Sequence, residues 1–197
     1  MKENRYPAVF IDRDGTLNED RGYINSKENF EIYPFVFQAL RLLAQFNILR
    51  IIITNQAGIA KGYFTEKTLL EIHTKLEQKA TSAGASIDGI YYCPHHTDGK
   101  VADYALDCSC RKPKTGLIDK ALTDFPIDKK KMYMVGDKYT DMLAGINAGC
   151  KKNILVKTGY GKGEIELNYS RWNRKPDMVV ETLLDAVLFI IKDLRGK

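Results

Sequence analysis

Residues 8–16 read Ala-Val-Phe-Ile-Asp-Arg-Asp-Gly-Thr, a short apolar run followed directly by two acidic residues. An apolar run of this length, bounded by polar residues, is typical of a strand buried on both faces of a sheet. Polar side chains at the carboxyl end of such a strand lie where open α/β sheets bind ligands. The stretch therefore predicts a fold class and the position of a site.

Further apolar runs and helical patterns alternate along the chain. We predict strands at residues 8–11, 48–53, 87–92, 132–135 and 153–156. We predict helices at residues 35–46, 66–83, 117–125, 140–148 and 181–194. The order of strand then helix predicts an α/β fold, with a mostly parallel sheet and helices on both faces.

The composition is that of one packed domain. The chain has 197 residues, of which 44% are hydrophobic and 28% charged, and this balance excludes a disordered or collagen-like protein. We see no linker and expect a single domain over residues 1–197. The net charge of +5 suits an anionic substrate but is too small to indicate a dedicated nucleic-acid binder.

No membrane-spanning segment is visible in the sequence. The longest apolar run, residues 186–191, is far shorter than the ~18 residues needed to cross a bilayer. We therefore expect no membrane partner. Because three cysteines and two histidines crowd together, as metal ligands do in a reducing compartment, we expect a cytoplasmic protein.

Two segments depart from the strand and helix pattern. Residues 94–115 have no sustained periodicity and hold most of the Cys/His cluster, so a metal ion is expected to stabilise them in place of an apolar core. Residues 158–176 contain three glycines and Trp172 and are predicted to form a long surface loop. A loop of that length is often functional.

The two acids after the first strand have complementary chemistry. Asp12 can bind a hard cation and attack a phosphorus atom, and Asp14 can protonate the oxygen that leaves. The alternative is a solvated Asp-Gly turn.

The second predicted strand is followed by Thr54-Asn55-Gln56, whose hydroxyl and amides can hold phosphoryl oxygens. Taken alone, such a sequence more often caps a helix or forms a turn. Lys112 precedes a predicted helix and can neutralise charge on a phosphoryl group. A lone Lys-Pro sequence, by contrast, is usually a surface feature.

A third acid follows the fourth predicted strand, in Gly136-Asp137-Lys138. Asp137 would lie close to Asp12, and converging carboxylates repel one another unless a cation lies between them. Oxygen ligands together with a phosphate favour Mg²⁺. Asp141, four residues later, is expected to orient Lys112 or to cap the turn.

The Cys/His cluster predicts a structural zinc site. The four candidate ligands are Cys93, His95, Cys108 and Cys110. Three thiolates and one imidazole form a closed tetrahedral set that leaves no open position for catalysis. The alternative is a group of unrelated buried side chains.

Together these motifs resemble the haloacid dehalogenase-like phosphatases. The resemblance rests on Asp-x-Asp-Gly-Thr at residues 12–16, Thr54, Lys112 and Gly-Asp-x-x-x-Asp at residues 136–141. It implies a Rossmann-like sheet and a phospho-aspartyl intermediate on Asp12, with Asp14 as general acid and base. Thr54 and Lys112 would hold the phosphoryl group. The implied magnesium ligands are Asp12, Asp137 and the backbone carbonyl of Asp14.

Finer features resemble a narrower family, the D-glycero-D-manno-heptose 1,7-bisphosphate 7-phosphatases of nucleotide-activated heptose biosynthesis. They lie at residues 20–23, 54–60, 62–64, 93–96 and 108–113. In that family a zinc loop, here about residues 93–112, stands in for a cap domain, and the enzymes are often monomers. The implied contacts with the sugar bisphosphate are Asp20, Arg21, Gly22, Tyr23, Thr54, Asn55, Gln56, Ala57, Arg111, Lys112 and Lys138. Arg111 would bind the phosphate that is not cleaved, because a guanidinium suits phosphate geometry.

The chain departs from this family's commonest pattern at two positions. Ala57 stands where a serine is frequent, and Lys61 where an arginine is frequent. A related alternative is a histidinol-phosphate phosphatase, although the zinc loop of that family is typically shorter. An alternative of another class is a zinc-stabilised nucleic-acid-binding module. Acids in the loop, such as Asp98 and Asp103, argue against it because they would repel the phosphates of a nucleic acid.

Overall fold

The computed structural model describes residues 5–196, which form a parallel sheet covered by helices. The single domain predicted over residues 1–197 includes residues 1–4 and 197, which lie outside the described part, and it stays a prediction. None of the helices between residues 5 and 196 has the length and apolar character that crossing a bilayer requires.

The sheet has six strands within the described residues, and all of its pairings are parallel. The strands are β1 (Tyr6–Ile11), β2 (Leu49–Asn55), β3 (Gly89–Cys93), β4 (Ile127–Gly136), β5 (Lys152–Val156) and β6 (Met178–Val180). Their order is β3-β2-β1-β4-β5-β6. This is the Rossmann order, in which the direction of winding reverses between β1 and β4 and opens a crevice at their carboxyl ends.

Helices pack on both faces of this sheet, as predicted. They are α1 (Val36–Gln45), α2 (Ala57–Ala60), α3 (Glu66–Ser82), α4 (Gly116–Asp124), α5 (Tyr139–Asn147), α6 (Gly161–Asn168) and α7 (Leu183–Leu194). Apolar side chains of α1, α3 and α7 form one core with one face of the sheet. Those of α4 and α5 form a second core with the opposite face.

Strand β1 is buried because each of its faces lies in one of these cores. Val9 and Ile11 belong to the core with α1, α3 and α7, whereas Ala8 and Phe10 belong to the core with α4 and α5. The next backbone N–H, that of Asp12, donates to the Val135 carbonyl of β4 at 2.9 Å. The apolar run therefore places Asp12 at the centre of the carboxyl edge of the sheet.

The prediction of a long surface loop at residues 158–176 was wrong. Helix α6 and a following 3₁₀ turn occupy much of this segment, and the edge strand β6 comes directly after it. Glycines at positions 161 and 163 weaken the intrinsic helix propensity, which hid the helix in the sequence. Tertiary packing decides the outcome, because Ile165 and the buried Trp172 pack on the second core, with the Trp172 ring stacked 4.3 Å from that of Tyr139.

The segment between β3 and α4 has little regular structure, in agreement with the sequence. Residues 94–115 contain a single short 3₁₀ turn at Ala102–Tyr104. Within the described residues, the chain between β1 and β2 holds the loop at residues 12–35 and α1, with no second sheet inserted. The fold therefore lacks a separate cap domain at this position, as expected.

Candidate active site

A cavity of about 600 Å³ opens at the carboxyl edge of the sheet. Most of the residues predicted to form the site line it: Asp12, Asp14, Asp20, Gly22, Tyr23, Thr54, Asn55, Gln56, Ala57, Arg111, Lys112 and Lys138. Two predicted residues do not line it. The Arg21 side chain is half-exposed and forms ion pairs with Glu19 at 2.9 Å and Glu31 at 2.5 Å. Asp137 is completely buried beside the cavity.

Lys112 lies at the centre of the charged groups. Its Nζ contacts Asp12 Oδ1 at 2.5 Å and Asp141 Oδ1 at 2.7 Å, and it donates to the Ile53 carbonyl at 3.0 Å. Burial lowers the pKa of Lys112, but the charges of Asp12 and Asp141 outweigh burial and raise it, so the ammonium form persists. Asp141 makes both expected contacts, since it pairs with Lys112 and also accepts from the Lys138 N–H at the turn before α5.

Three buried carboxylates converge beside this lysine. Oxygen atoms of Asp12, Asp137 and Asp141 lie within 4.8 Å of one another. Burial raises the pKa of Asp12 to about 6 even though the charge of Lys112 lowers it. Burial and the nearby Asp12 raise the pKa of Asp137 well above its usual range. In the absence of a further cation, these groups disfavour one another's charged forms.

The residues fit a hard divalent cation. Asp137 Oδ1 is buried and has no hydrogen-bond partner among residues 5–196, whereas its Oδ2 accepts the Tyr160 N–H at 2.8 Å. The Asp141 carboxylate is already committed to Lys112 and to the Lys138 N–H at 3.0 Å. Asp12 and Asp137 are therefore the side chains available to Mg²⁺, which prefers carboxylate oxygens.

Asp14 is held by a dense set of hydrogen bonds. Its Oδ1 accepts from Arg13 Nε at 3.0 Å, Arg13 Nη2 at 2.8 Å and Asn18 Nδ2 at 3.0 Å. Its Oδ2 accepts from Arg13 Nη2 and Gln56 Nε2, both at 2.8 Å. Burial raises the pKa of Asp14, but the Arg13 charge and these hydrogen bonds outweigh it, so the pKa is lowered. The aspartate is a carboxylate in this arrangement.

The last residues of β2 contribute to the site in two ways. Thr54 is buried, and its hydroxyl accepts from Gln56 Nε2 at 2.8 Å. Asn55 exchanges two hydrogen bonds with the Lys112 backbone, at 3.0 and 3.1 Å, and so fixes the segment that carries the lysine. Helix α2 begins at Ala57, and the side chain of its N-cap residue, Gln56, makes no capping hydrogen bond to the helix. The helix-cap alternative is therefore wrong.

The rim of the cavity is aromatic and charged. Lys138 Nζ forms an ion pair with Asp20 at 2.8 Å and lies 4.5 Å from the centre of the Tyr160 ring. The rings of Tyr23 and Tyr63 lie 4.5 Å apart, and Lys61 Nζ donates to the Tyr23 hydroxyl at 2.8 Å. Of these side chains, Asp20, Tyr23, Lys138 and Tyr160 line the cavity, and their polar groups suit a hydroxylated, phosphorylated ligand.

Sequence reasoning missed Tyr160 as a residue of this site. Tyr160 lies in the Thr-Gly-Tyr-Gly sequence at residues 158–161, directly after β5, so its position past a strand's carboxyl end was the available signal. Thr158 Oγ1 donates to the Gly15 carbonyl at 2.6 Å. This segment therefore contacts both the loop after β1 and Asp137.

The Cys/His cluster forms a compact tetrad next to the cavity. Cys93 Sγ and Cys108 Sγ lie 3.5 Å apart, and Cys108 Sγ and Cys110 Sγ lie 3.3 Å apart. His95 Nδ1 lies 3.8 Å from Cys93 Sγ and 3.4 Å from Cys110 Sγ. The sulfur separations exceed the ~2.05 Å of a disulfide bond. They approach the ~3.5–3.8 Å edges of a tetrahedron with Zn–S bonds near 2.3 Å, so the donor set fits a metal ion.

Comparison with known proteins identifies the family. The chain is 46% identical, over 152 residues, to the D-glycero-beta-D-manno-heptose-1,7-bisphosphate 7-phosphatase of Pasteurella multocida strain Pm70, covering 77% of this chain and 82% of the relative. It is 40% identical over 184 residues to the protein of the same name from Haemophilus ducreyi strain 35000HP, covering 93% and 97%. The chain belongs to this phosphatase family.

Structural and family comparisons agree with this membership. A crystal structure of the D,D-heptose 1,7-bisphosphate phosphatase from B. bronchiseptica, complexed with magnesium and phosphate, matches with a TM-score of 0.82 and 28% identity, covering 95% of this chain and 99% of that one. Residues 109–186 match the family model of HAD-hydrolase-like proteins. These relatives do not favour the histidinol-phosphate or nucleic-acid alternatives.

Proposed function

We propose that this protein is a Mg²⁺-dependent phosphatase that hydrolyses the C7 phosphate of D-glycero-β-D-manno-heptose 1,7-bisphosphate and releases heptose 1-phosphate. The observation that carries the proposal is the convergence of Asp12, Asp137 and Lys112 at the crevice between β1 and β4. The substrate is proposed from the names of the phosphatase relatives, which are 40–46% identical to this chain.

The first step is the attack of Asp12 on the phosphorus atom of the C7 phosphate. The bond from phosphorus to the sugar oxygen breaks as Asp14 gives its proton to that oxygen, and Asp12 becomes an aspartyl phosphate. Asp14 must be protonated for this step. A bound phosphate group places negative charge beside Asp14 and raises its pKa, which favours the acid form when substrate is present.

In the second step a water molecule attacks the phosphorus atom of the aspartyl phosphate. Asp14, now a carboxylate, accepts the proton of this water, and Asp12 leaves as a free carboxylate. The Arg13 charge and the hydrogen bonds that lower the pKa of Asp14 keep it in the carboxylate form, which is the form that can accept this proton. Lys112 and Thr54 bind the phosphoryl oxygens. Asp12, Asp137 and the Asp14 carbonyl would hold Mg²⁺, which when bound would supply positive charge that neutralises the phosphoryl group.

The rest of the cavity would recognise the sugar and its second phosphate. Arg111 lines the wall next to the cysteine tetrad, and its Nη1 donates to the His95 carbonyl at 3.2 Å. We assign the C1 phosphate to this guanidinium, because a planar fork binds phosphate with two parallel hydrogen bonds. Asp20, Tyr23 and Lys138 line the same cavity, and we expect them to contact the hydroxyl groups of the sugar.

The tetrad is proposed to hold a structural Zn²⁺, supported by its Cys₃His composition and its spacing. Because a Cys₃His zinc site requires reduced thiolates, we also propose a cytoplasmic location. We further propose that the protein acts as a monomer, which sedimentation of the purified protein at several concentrations would test. A concentration-dependent dimer would contradict the monomer.

Phosphate release tests the proposed function directly. The substrates are the β and α anomers of the heptose 1,7-bisphosphate, histidinol phosphate and p-nitrophenyl phosphate, each assayed with Mg²⁺ and with a chelator. We expect the β anomer to be the best substrate and the chelator to abolish turnover. Preference for histidinol phosphate would overturn the substrate assignment.

An Asp12→Asn variant tests the nucleophile. We expect it to retain the fold and to lose activity by about 10⁴-fold or more, because the amide cannot form the aspartyl phosphate. The matched control is Asp103→Asn, which makes the same chemical change at an exposed position in the 94–115 segment. Near-normal turnover by Asp12→Asn would contradict the mechanism.

A further inference from the structure

Arg13 and His73 are charged or titratable groups that the mechanism above does not use. Arg13 is the residue between the two acids, and its side chain is completely buried. His73 is 5% exposed and lies on the buried face of α3, whose other buried members are Leu69, Ile72, Leu76 and Ala80. A buried arginine is rare unless its donors are paired, so the partners of this one are informative.

The Arg13 guanidinium links His73 to Asp14. Its Nε and Nη2 donate to the Asp14 carboxylate at 2.8–3.0 Å, and its Nη1 lies 3.1 Å from His73 Nε2. The guanidinium also lies 5.6 Å from the centre of the Phe30 ring. Each of the three guanidinium nitrogens of Arg13 therefore has a hydrogen-bond partner on the protein.

The chemistry of arginine fixes the state of the histidine. A guanidinium has only donors and stays protonated in proteins, so His73 Nε2 must be the acceptor in this contact. The imidazole is consequently neutral and carries its proton on Nδ1. Burial and the nearby Arg13 charge lower the pKa of His73 to about 3, which agrees with this assignment.

We propose that Arg13 and His73 are a positioning pair for Asp14, in which the lone pair of His73 Nε2 orients the guanidinium that in turn orients the Asp14 carboxylate toward the cavity. This inference rests on the proposed function, because Asp14 is the proton-transfer group in that function. Helix α3 supplies a rigid base for the pair, and proton transfer depends on small displacements of the acid.

Three variants separate this role from simple packing. His73→Leu removes the acceptor and leaves the Nη1 donors buried without a partner. His73→Gln keeps a side-chain acceptor oxygen at the same position. Ile72→Val is the control, because it removes one methylene from the neighbouring buried residue of α3. Thermal unfolding of each variant measures the change in stability.

The expected result is a split between kcat and KM. His73→Leu should lower kcat by about 10- to 100-fold, as a misplaced catalytic group does, with KM changed by less than about twofold. His73→Gln should stay within about threefold of the unsubstituted protein, since the hydrogen bond to Arg13 is kept. Equal kcat values for His73→Leu and Ile72→Val would overturn the proposal.

A double-mutant cycle tests whether His73 acts through Asp14. Asp14→Asn alone should lower kcat by about 10²- to 10⁴-fold. In the Asp14→Asn background, His73→Leu should lower kcat by less than about a further twofold, because the carboxylate that His73 helps to position is already absent. Full additivity of the two losses would assign His73 a structural role and overturn the proposal.

Nitrogen NMR provides a readout on the unsubstituted protein. The chain has three histidines, and the His73→Gln variant identifies the signals of His73. We expect an unprotonated Nε2 and a protonated Nδ1; a protonated Nε2 would overturn the proposed pairing of His73 with Arg13.

The kinetic assays use both heptose bisphosphate and p-nitrophenyl phosphate. If the unsubstituted protein hydrolysed p-nitrophenyl phosphate but not the heptose bisphosphate, the proposed function would be contradicted. The double-mutant cycle measured with p-nitrophenyl phosphate would still test the positioning role of Arg13 and His73.

Discussion

At the scale of single residues, the site is a balance of buried charges. Asp12, Asp137 and Asp141 are acids in a small volume, and Lys112 is the cation that contacts two of them. Removing one member of a buried ion pair is costly because the remaining charge has no partner. Lys112 is therefore expected to contribute to stability in addition to its proposed role in binding the phosphoryl group.

We predict that Lys112→Met lowers both activity and stability. Turnover should fall by about 10²- to 10³-fold, as for the loss of one group that stabilises transition-state charge. In a chelator, the free energy of unfolding should fall by about 3 kcal/mol, because Asp12 and Asp141 are left unpaired. Added Mg²⁺ should restore part of this loss by binding the native state.

Phosphate release and urea unfolding, with and without Mg²⁺, check this prediction. Lys120→Met, an exposed substitution on α4 with the same chemical change, is the control and should leave both quantities near their original values. Unchanged stability of Lys112→Met in the chelator would mean that the acids are not charged in the native protein.

At the scale of structural elements, the turn at residues 158–161 contacts Asp137, the proposed magnesium ligand. Gly159 has a φ of +56°, which disfavours residues with a side chain. A Cβ at this position would lie 2.3 Å from Asp137 Oδ2 and 2.4 Å from the Gly15 Cα. The turn therefore packs closely against both Asp137 and the loop after β1.

We predict that Gly159→Ala weakens Mg²⁺ binding by about tenfold or more. The added methyl group must displace Asp137 or the loop after β1, and small displacements of catalytic groups lower turnover strongly. The Mg²⁺ dependence of phosphate release measures this effect.

Gly163→Ala is the control, because a Cβ there meets nothing within 4 Å. It lies in α6, where alanine is the better helix former, so stability should rise by up to ~1 kcal/mol with unchanged Mg²⁺ dependence. Equal Mg²⁺ dependence of both variants would show that the turn does not support Asp137.

The sequence predicted those parts of the site that come from local pattern. The apolar run at residues 8–11 and the acids after it required only the rule that buried strands carry ligands at their carboxyl ends. His73 was not predicted, because its contact with Arg13 spans 60 positions and α3 shows only a helical pattern locally. Helix α6 was not predicted because packing of Trp172, and not propensity, stabilises its segment.

At the scale of the whole molecule, the cysteine tetrad connects the sheet to the substrate cavity. Cys93 is the last residue of β3, whereas Cys110 directly precedes Arg111. A bound zinc would therefore join the sheet to the segment that carries the proposed ligand of the C1 phosphate. The next residue, Lys112, is held separately, by its backbone hydrogen bonds to Asn55.

We predict that loss of zinc affects binding of the bisphosphate more than the fold of the sheet. Removing the metal, or introducing Cys108→Ser, should raise KM for the heptose bisphosphate by about tenfold or more, because metal binding stabilises the local structure that presents Arg111. Circular dichroism should retain the signal of the α/β core, because Cys93 is the one tetrad residue among the buried members of the two apolar clusters and the sheet and helices supply the others. Limited proteolysis should cut between residues 94 and 111.

Metal analysis of the purified protein accompanies these assays. Cys150→Ser is the control, since Cys150 lies outside the tetrad, and this variant should keep the full zinc content and an unchanged KM. A one-phosphate substrate such as p-nitrophenyl phosphate separates the two binding roles, because its KM does not depend on Arg111 and should change little in Cys108→Ser. If KM rose equally for both substrates, the tetrad would support Lys112 and the reacting phosphate, and the assignment of the C1 phosphate to Arg111 would be wrong.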